Sequence, residues 1–320
     1  MYQTRITKLL NIKYPIVQGG LAYLAYADLA AAVSNAGGLG QITAMSLPDP
    51  ESLQKEIHKV KQLTGKPFGI NFAIGQHGRL FEHMVQVAID EQVPVVSITG
   101  GNPAGVLDML KDFPIKTLVL VASSRQAQKA QELGADAVMV VGQEGGGHLG
   151  RSDTGTIVLT PHVVDALEIP VIASGGIVDG RGLMAALALG AEGIEMGTRF
   201  IATKEIQSHI NYKQAILSAD EGDTVVIKRS LGTPARALRS PFTENILSLE
   251  EKYGNNYEQL KDYISGEVNQ KYIHSGNESS GFGWAGQGAS RIHQILSVKD
   301  LISSIIDEAD QIRGKWSKEV

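Results

Sequence analysis

Residues 137–150 read Ala137-Val138-Met139-Val140-Val141-Gly142-Gln143-Glu144-Gly145-Gly146-Gly147-His148-Leu149-Gly150. Five consecutive apolar side chains, three of them valine, describe a strand covered on both faces, as in a parallel sheet. The glycines that follow let backbone amides approach a ligand with no Cβ in the way. His148 is the one side chain there able to move a proton near neutral pH. A glycine-lined histidine at the end of a parallel strand is where an α/β enzyme places its chemistry.

The same pattern extends in both directions. Strand-like runs are expected at 15–18, 40–43, 68–74, 93–99, 116–122, 171–174 and 193–197, besides 137–141. Helical stretches fall between them at 26–36, 50–63, 80–91, 104–112, 125–133, 161–167 and 180–189. Eight such units predict a closed (β/α)8 TIM barrel of the α/β class. An open doubly wound sheet would want G-x-G-x-x-G opening the first helix, and Gln18-Gly19-Gly20-Leu21 does not supply it. Gly134 and Gly190 close a near-repeat (Leu-Gly-Ala, an acid, then the next strand) and read as residues just past helix ends.

After Arg199 the periodicity becomes helical and more charged, including 247–252 and 257–264, and 275–288 is rich in Gly and Ser. Residues 297–313 read as a last amphipathic helix, with Leu301, Ile302, Ile305, Ile306, Ala309 and Ile312 on one side. These features divide the chain into a barrel of residues 1–203 and 285–320 and a C-terminal helical insertion, 204–284. The insertion is expected to form a lid over the barrel mouth or a subunit contact, the latter giving a homodimer.

Composition narrows the function. The 320 residues are 43% hydrophobic and 20% charged, with a net charge of −5 and no basic run, which argues against nucleic-acid binding. No cysteine is present, so disulfides, thiolate metal sites and thiol nucleophiles are excluded. Met1-Tyr2-Gln3-Thr4-Arg5-Ile6-Thr7-Lys8 is followed by no apolar core of signal-peptide length, and no apolar stretch reaches the roughly 20 residues of a membrane span. A cytoplasmic protein with no membrane partner is expected. The 36 glycines gather in pairs at segment ends rather than at a period, which suggests loops shaped around one ligand.

Two of those loops look like phosphate sites. Ile172-Ala173-Ser174-Gly175-Gly176-Ile177 lies after the seventh strand and Glu195-Met196-Gly197-Thr198-Arg199-Phe200 after the eighth, where barrels bind phosphate through backbone N–H groups and a helix N-terminus. Either alone is also an ordinary tight turn. Asn71, Gln18 and Thr43 are polar residues at strand ends and need partners, either a neighbouring strand end or a cofactor ring. Of the other histidines, His58 and His83 fall on helical segments. His77, His209 and His274 lie in loop-like or insertion regions, His162 follows a helix-starting Pro161, and His293 comes late in the chain. No H-x-H or H-E-x-x-H spacing suggests a metal site, so none is expected, and no G-x-S-x-G elbow suggests a hydrolase.

Tyr14-Pro15-Ile16-Val17-Gln18-Gly19-Gly20, Lys66-Pro67-Phe68-Gly69-Ile70-Asn71, Glu144-Gly145-Gly146-Gly147-His148, Ala173-Ser174-Gly175-Gly176-Ile177 and Gly197-Thr198-Arg199-Phe200 together resemble the nitronate monooxygenase (2-nitropropane dioxygenase-like) family of TIM-barrel enzymes. The similarity extends to 280–287 and so covers nearly the whole chain. It implies FMN as cofactor, with the phosphate held by Ser174, Gly175, Gly176, Gly197 and Thr198. Gly19, Gly20 and Leu21 would meet the isoalloxazine through their backbone, and Gln18 and Asn71 through their side chains. Thr43, Gly146, Gly147 and Met196 would complete the cofactor contacts, and His148 matches the catalytic histidine.

The implied reaction is oxidation of an alkyl nitronate such as propionate 3-nitronate by O2, giving a carbonyl compound and nitrite or nitrate. His148 would bond the nitro oxygens or act as base toward a neutral nitroalkane. Related flavin enoyl-acyl-carrier-protein reductases and NAD(P)H:quinone reductases share nearly the same motifs, so an NAD(P)H-dependent reductase is the alternative. Some quinone-reductase-like members carry a Lys on the fifth strand, where this chain reads Leu118-Val119-Leu120-Val121-Ala122. The triplet 145–147 stands where Ala-Gly or Ala-Gly-Gly is more usual, leaving a roomier pocket. A third possibility is a barrel that binds phosphorylated metabolites without redox chemistry.

Overall fold

The computed structural model of the chain describes residues 2–75 and 81–316. His77 and Leu80 therefore lie outside the described residues. Eight parallel strands form the central sheet: β1 (Ile16–Gln18), β2 (Gly40–Thr43), β3 (Phe68–Ala73), β4 (Val95–Thr99), β5 (Lys116–Val121), β6 (Ala137–Val141), β8 (Val171–Ser174) and β9 (Gly193–Met196). Their spatial order is β1-β9-β8-β6-β5-β4-β3-β2. A parallel bridge between Val17 and Leu39 joins the two outer strands. The expected (β/α)8 barrel is thus closed, and its strands are buried along nearly their whole length.

The helices form where sequence and caps agree. Pro50–Leu63 has Pro at its first position and the Asp49 carboxylate accepting from the Ser52 N–H at 2.7 Å. One helix starts earlier than its proline suggests. The sequence reads Pro161 as a start, but the helix runs Thr156–Asp165 with Pro161 inside it. Its true start is set by Glu144, whose carboxylate oxygens accept from the Thr156 N–H at 3.0 and 2.8 Å. An anion at a helix N-terminus satisfies orphan donors there and favours a start at Thr156, with Pro161 about one turn and a half further in.

The closing helix Val298–Trp316 buries Leu301, Ile302, Ile305, Ile306 and Ala309 as the periodicity predicts, and packs on Gly180–Ala188. The contact is close: a Cβ on Gly180 would stand 2.6 Å from both Ala309 N and Ile305 O.

The segment 204–284 carries helices over the expected 247–252 and 257–264, in Pro241–Tyr253 and Tyr257–Ile264, and two more, Ile210–Leu217 and Gly266–Ser275. It is not wholly helical. β10 (Thr224–Ile227) and β11 (Ala235–Leu238) pair antiparallel, and β11 also pairs with the two-residue β7 (Gly147–His148). A small core of Val225, Ile227, Ala237, Ile246, Val268 and Phe282 supports that sheet. Among the described residues, no helix is long and apolar enough to cross a membrane, and no cluster of three or more His, Cys, Asp or Glu is placed to hold a metal.

Candidate active site

Strand register decides which polar residues meet at the C-terminal rim. Gln18 stands opposite Met196, Thr43 opposite Asn71, Asn71 opposite Ser97, Val141 opposite Ser174, and Ser174 opposite Glu195. Gly20, Gly146, His148 and Gly176 are exposed on that rim although the strands beneath are buried.

The loops after β8 and β9 lie side by side. Gly175 and Gly176 have φ of +99° and +75°, which point their amides in directions an L side chain rarely permits. The N–H groups of Gly175, Gly176 and Gly197 donate to no group among the described residues. Unpartnered donors on neighbouring loops of the rim are the makings of an anion site. The Ser174 carbonyl, by contrast, is engaged, accepting from the Gly142 N–H and lying near the Thr156 hydroxyl, each at 3.1 Å. Thr198 Oγ1 accepts from the Gly286 N–H at 2.9 Å, and the Gln287 N–H donates to the Glu144 carbonyl at 2.9 Å. Residues 286–287 therefore pin the histidine loop to the loop after β9.

The loop after β1 is held from below. Gly19 N–H donates to the Met196 carbonyl at 2.9 Å, and Leu21 N–H to Thr43 Oγ1 at 3.0 Å. Thr43 thus acts through Leu21 and shapes the loop. A Cβ on Gly20 would collide with the Asn71 carboxamide, whose Nδ2 donates to Ser97 Oγ at 2.9 Å. Asn71 Oδ1 is left facing the rim at Gly20.

Two expected contacts are differently arranged. Gln18, expected to face a cofactor ring, has both polar ends engaged. Its Oε1 accepts from the Gln41 N–H at 2.8 Å and its Nε2 donates to the Gly19 carbonyl. The Met196 side chain is buried in the main core, so this residue offers the rim only its backbone. The physical reason is the same: both side chains are buried in a close-packed interior, where polar ends must pair and apolar ones fill space. Arg199, close in sequence, is also turned inward. It donates to the Gln294 carbonyl at 3.0 Å, and burial lowers its pKa to about 10.

His148 stands at the mouth, on β7. The residue is exposed, yet the protein around the ring lies close enough to penalise charge. Burial first, and then the Lys228 ammonium, push its pKa from 6.5 down to about 4. Lys228 Nζ lies 3.3 Å from His148 Nε2, and the Trp284 ring centre lies 5.9 Å from the imidazole. The sequence suggested a group titrating near neutrality, whereas here the imidazole is neutral across the physiological range.

Three neighbours of the candidate site have no role assigned from sequence, Glu195 being quoted there only as the first residue of a glycine loop. Glu195 is a buried acid whose pKa burial raises, opposed by a hydrogen bond from Ser174, and its Oε1 would be 2.7 Å from a Cβ on Gly19. A lone acid inside an apolar strand was the available signal. Lys228 and Trp284 reach His148 only through the pairing of β7 with β11 and the bridge from Ala237 to Trp284. Nothing local in the sequence announces that. The other described histidines lie elsewhere: His58 is exposed and pairs with Glu91 at 2.8 Å, and His209 caps Ile210–Leu217.

Fold and rim together define a (β/α)8 barrel assembled as barrel enzymes are, with functional groups gathered at the C-terminal ends of its strands. Comparison with known proteins makes this specific. A family model described as nitronate monooxygenase matches residues 3–79 and 72–308, and the chain belongs to that family of oxidoreductases. It is 33% identical to a protein of Staphylococcus saprophyticus described as a probable nitronate monooxygenase, over 98% of this chain and 99% of that one. Among solved structures, FabK from Thermotoga maritima is 40% identical with a TM-score of 0.94, covering 100% of both chains. A nitroalkane oxidase from Streptomyces ansochromogenes is 27% identical with a TM-score of 0.83, covering 97% of this chain and 99% of that one.

Proposed function

We propose that this chain is an FMN-dependent oxidoreductase that oxidises alkyl nitronates, propionate 3-nitronate among them, with O2 to a carbonyl compound and nitrite or nitrate. The observation that carries the reading is a neutral His148 beside the Lys228 ammonium, on the same rim as the open glycine N–H groups. A nitronate arrives already ionised, so it needs a hydrogen bond and a nearby positive charge rather than a base. A histidine with a pKa of about 4 is a poor base toward a neutral nitroalkane. His148 therefore orients the nitro oxygens.

The residues present fit FMN. Gly175, Gly176 and Gly197 offer unpartnered N–H donors for the phosphate, with the Ser174 and Thr198 hydroxyls beside them. Backbone at 19–21 and the Asn71 Oδ1 edge would meet the ring system, and Gly146 and Gly147 leave clearance before His148. FMN supplies the electron transfer, and the chain binds, orients and excludes water. Segment 204–284 acts as the cover of the mouth, since it delivers Lys228 to His148.

The 40% identity to FabK over the whole chain favours a second reading on the same site, an NAD(P)H-dependent reduction of an enoyl thioester or a quinone. Mixing the FMN-loaded protein anaerobically with NADH or NADPH separates the two. Flavin absorbance that persists with NAD(P)H, together with nitrite release from propionate 3-nitronate in air, supports the monooxygenase. Rapid bleaching by NAD(P)H without nitronate turnover establishes the reductase instead.

A further inference from the structure

We infer that Lys228 is a positioning residue for His148: by donating to Nε2 it fixes the imidazole as its Nδ1–H tautomer, so Nδ1–H is the donor that His148 presents to a ligand. An ammonium has three N–H donors and no acceptor lone pair. Burial lowers the Lys228 pKa and the Glu250 carboxylate opposes that shift; with the amine as an ammonium 3.3 Å away, His148 Nε2 is the acceptor and carries no proton. In a neutral imidazole the proton then resides on Nδ1, which has no hydrogen-bond partner among the described residues.

The placement of Lys228 is built rather than incidental. Its φ is +65°, an unusual conformation for a residue with a Cβ. That turn is clamped by Glu250, which accepts from the Lys228 N–H at 2.8 Å and from the Ser230 N–H and hydroxyl at 3.1 and 2.6 Å. The other charged groups around His148 are committed elsewhere. Arg236, on the paired strand β11, donates to the Gln143 carbonyl and to Thr224 Oγ1. Arg151 donates to the Gly232 carbonyl, and Arg229 pairs with Asp153 at 3.2 Å. Trp284 contributes a ring and no charge. Lys228 is the cation that contacts the imidazole.

The tautomer and the site's substrate are separable questions. Only the consequence for ligand binding rests on the proposed role of His148, so the test reads the imidazole directly. The FMN-loaded protein is labelled with 15N-histidine, and the His148 resonances are assigned by their loss in His148→Gln. In the wild type, Nε2 is expected to be unprotonated and Nδ1 protonated from neutral pH down to about 5. Lys228→Met keeps a Cβ at the strained position and removes the charge together with the N–H donors. It should shift the ring toward the Nε2–H tautomer and raise the midpoint of its titration by about one unit or more, the Coulomb effect of two charges at this distance even at the dielectric of water. The acid limb of kcat/KM should move the same way, and Lys228→Arg should restore both. An Nε2–H tautomer in the wild type, or a tautomer and midpoint unchanged in Lys228→Met, overturns the inference. The wild-type spectrum alone decides the matter if the variant does not fold.

Discussion

Replacing Gly175 with alanine tests the phosphate cradle against a matched control elsewhere in the chain. Gly175 and Gly134 have similar backbone geometry, with φ of +99° and +90°. Alanine pays a conformational penalty of about 1–2 kcal/mol at either position. Their surroundings differ. A Cβ at Gly134 meets nothing within 4 Å, whereas at Gly175 it would lie 2.9 Å from Thr156 Oγ1 and 3.1 Å from the Gly142 carbonyl. The second neighbour is backbone and cannot swing aside, so overpacking adds roughly 1–3 kcal/mol.

Gly134→Ala should therefore cost about 1–2 kcal/mol of folding stability, and Gly175→Ala about 2–5 kcal/mol. If even about 1.4 kcal/mol of the difference falls on the loop's donors, FMN affinity drops about tenfold. The measurements are urea denaturation and fluorescence titration of FMN into flavin-free protein. Gly134→Ala should bind FMN as the wild type does. Wild-type affinity in Gly175→Ala, or an equal loss in both variants, would refute the assignment of this loop to the phosphate.

Three further outcomes follow from the electrostatics. His148→Ala should slow turnover of nitronate and of neutral nitroalkane comparably, by about 10–100-fold for one lost hydrogen bond to an anion. Steady-state assays showing a loss confined to the nitroalkane would restore the base role. The Glu91 carboxylate is held down to a pKa of about 2, chiefly by Lys61 with Gln54 and His58 assisting. Because its folded pKa is depressed, its contribution is present above about pH 4.5 and lost as pH falls toward 2. Glu91→Gln should cost about 1 kcal/mol near neutrality, allowing for solvent screening, and nothing near pH 2, as read from urea midpoints. Glu195 titrates in the opposite sense. Its pKa is raised by burial, so its ionisation opposes folding as pH rises above the usual carboxylate range. Glu195→Gln should gain stability relative to wild type at pH 8 but not at pH 4, and a gain independent of pH would show that the carboxyl is not the cause.

Much of the barrel was legible because its strands are short, apolar on both faces and punctuated by glycine. β2, β6 and β8 fall at 40–43, 137–141 and 171–174, as read from the sequence. The glycine loops were legible for a related reason: at Gly175 and Gly176 the backbone adopts angles that select glycine. What could not be read depends on contacts between residues distant in the chain. Thr156 begins a helix because Glu144 sits above it, and a local reading sees only Pro161. Gln18 looks free until Gln41 is placed beside it. Lys228 carries no motif and acquires meaning only when β11 aligns with β7. The β-content of segment 204–284 was hidden by strands of four residues each among more obvious helices.

The pairing of β7 with β11 has a consequence for how the protein comes into being. Val141 ends a barrel strand, but His148, seven residues later, belongs to a sheet completed by residues around 235, with Gly286 closing over Gly146. During synthesis the first six barrel strands can emerge and pair in order, each beside its predecessor. His148 has no fixed orientation until roughly the last quarter of the chain has left the ribosome. Contacts of such sequence separation form late because loop closure precedes their reward. A nascent chain would therefore acquire its scaffold well before the candidate site around His148, and a ribosome-stalled chain ending near residue 230 should be partly compact yet inert.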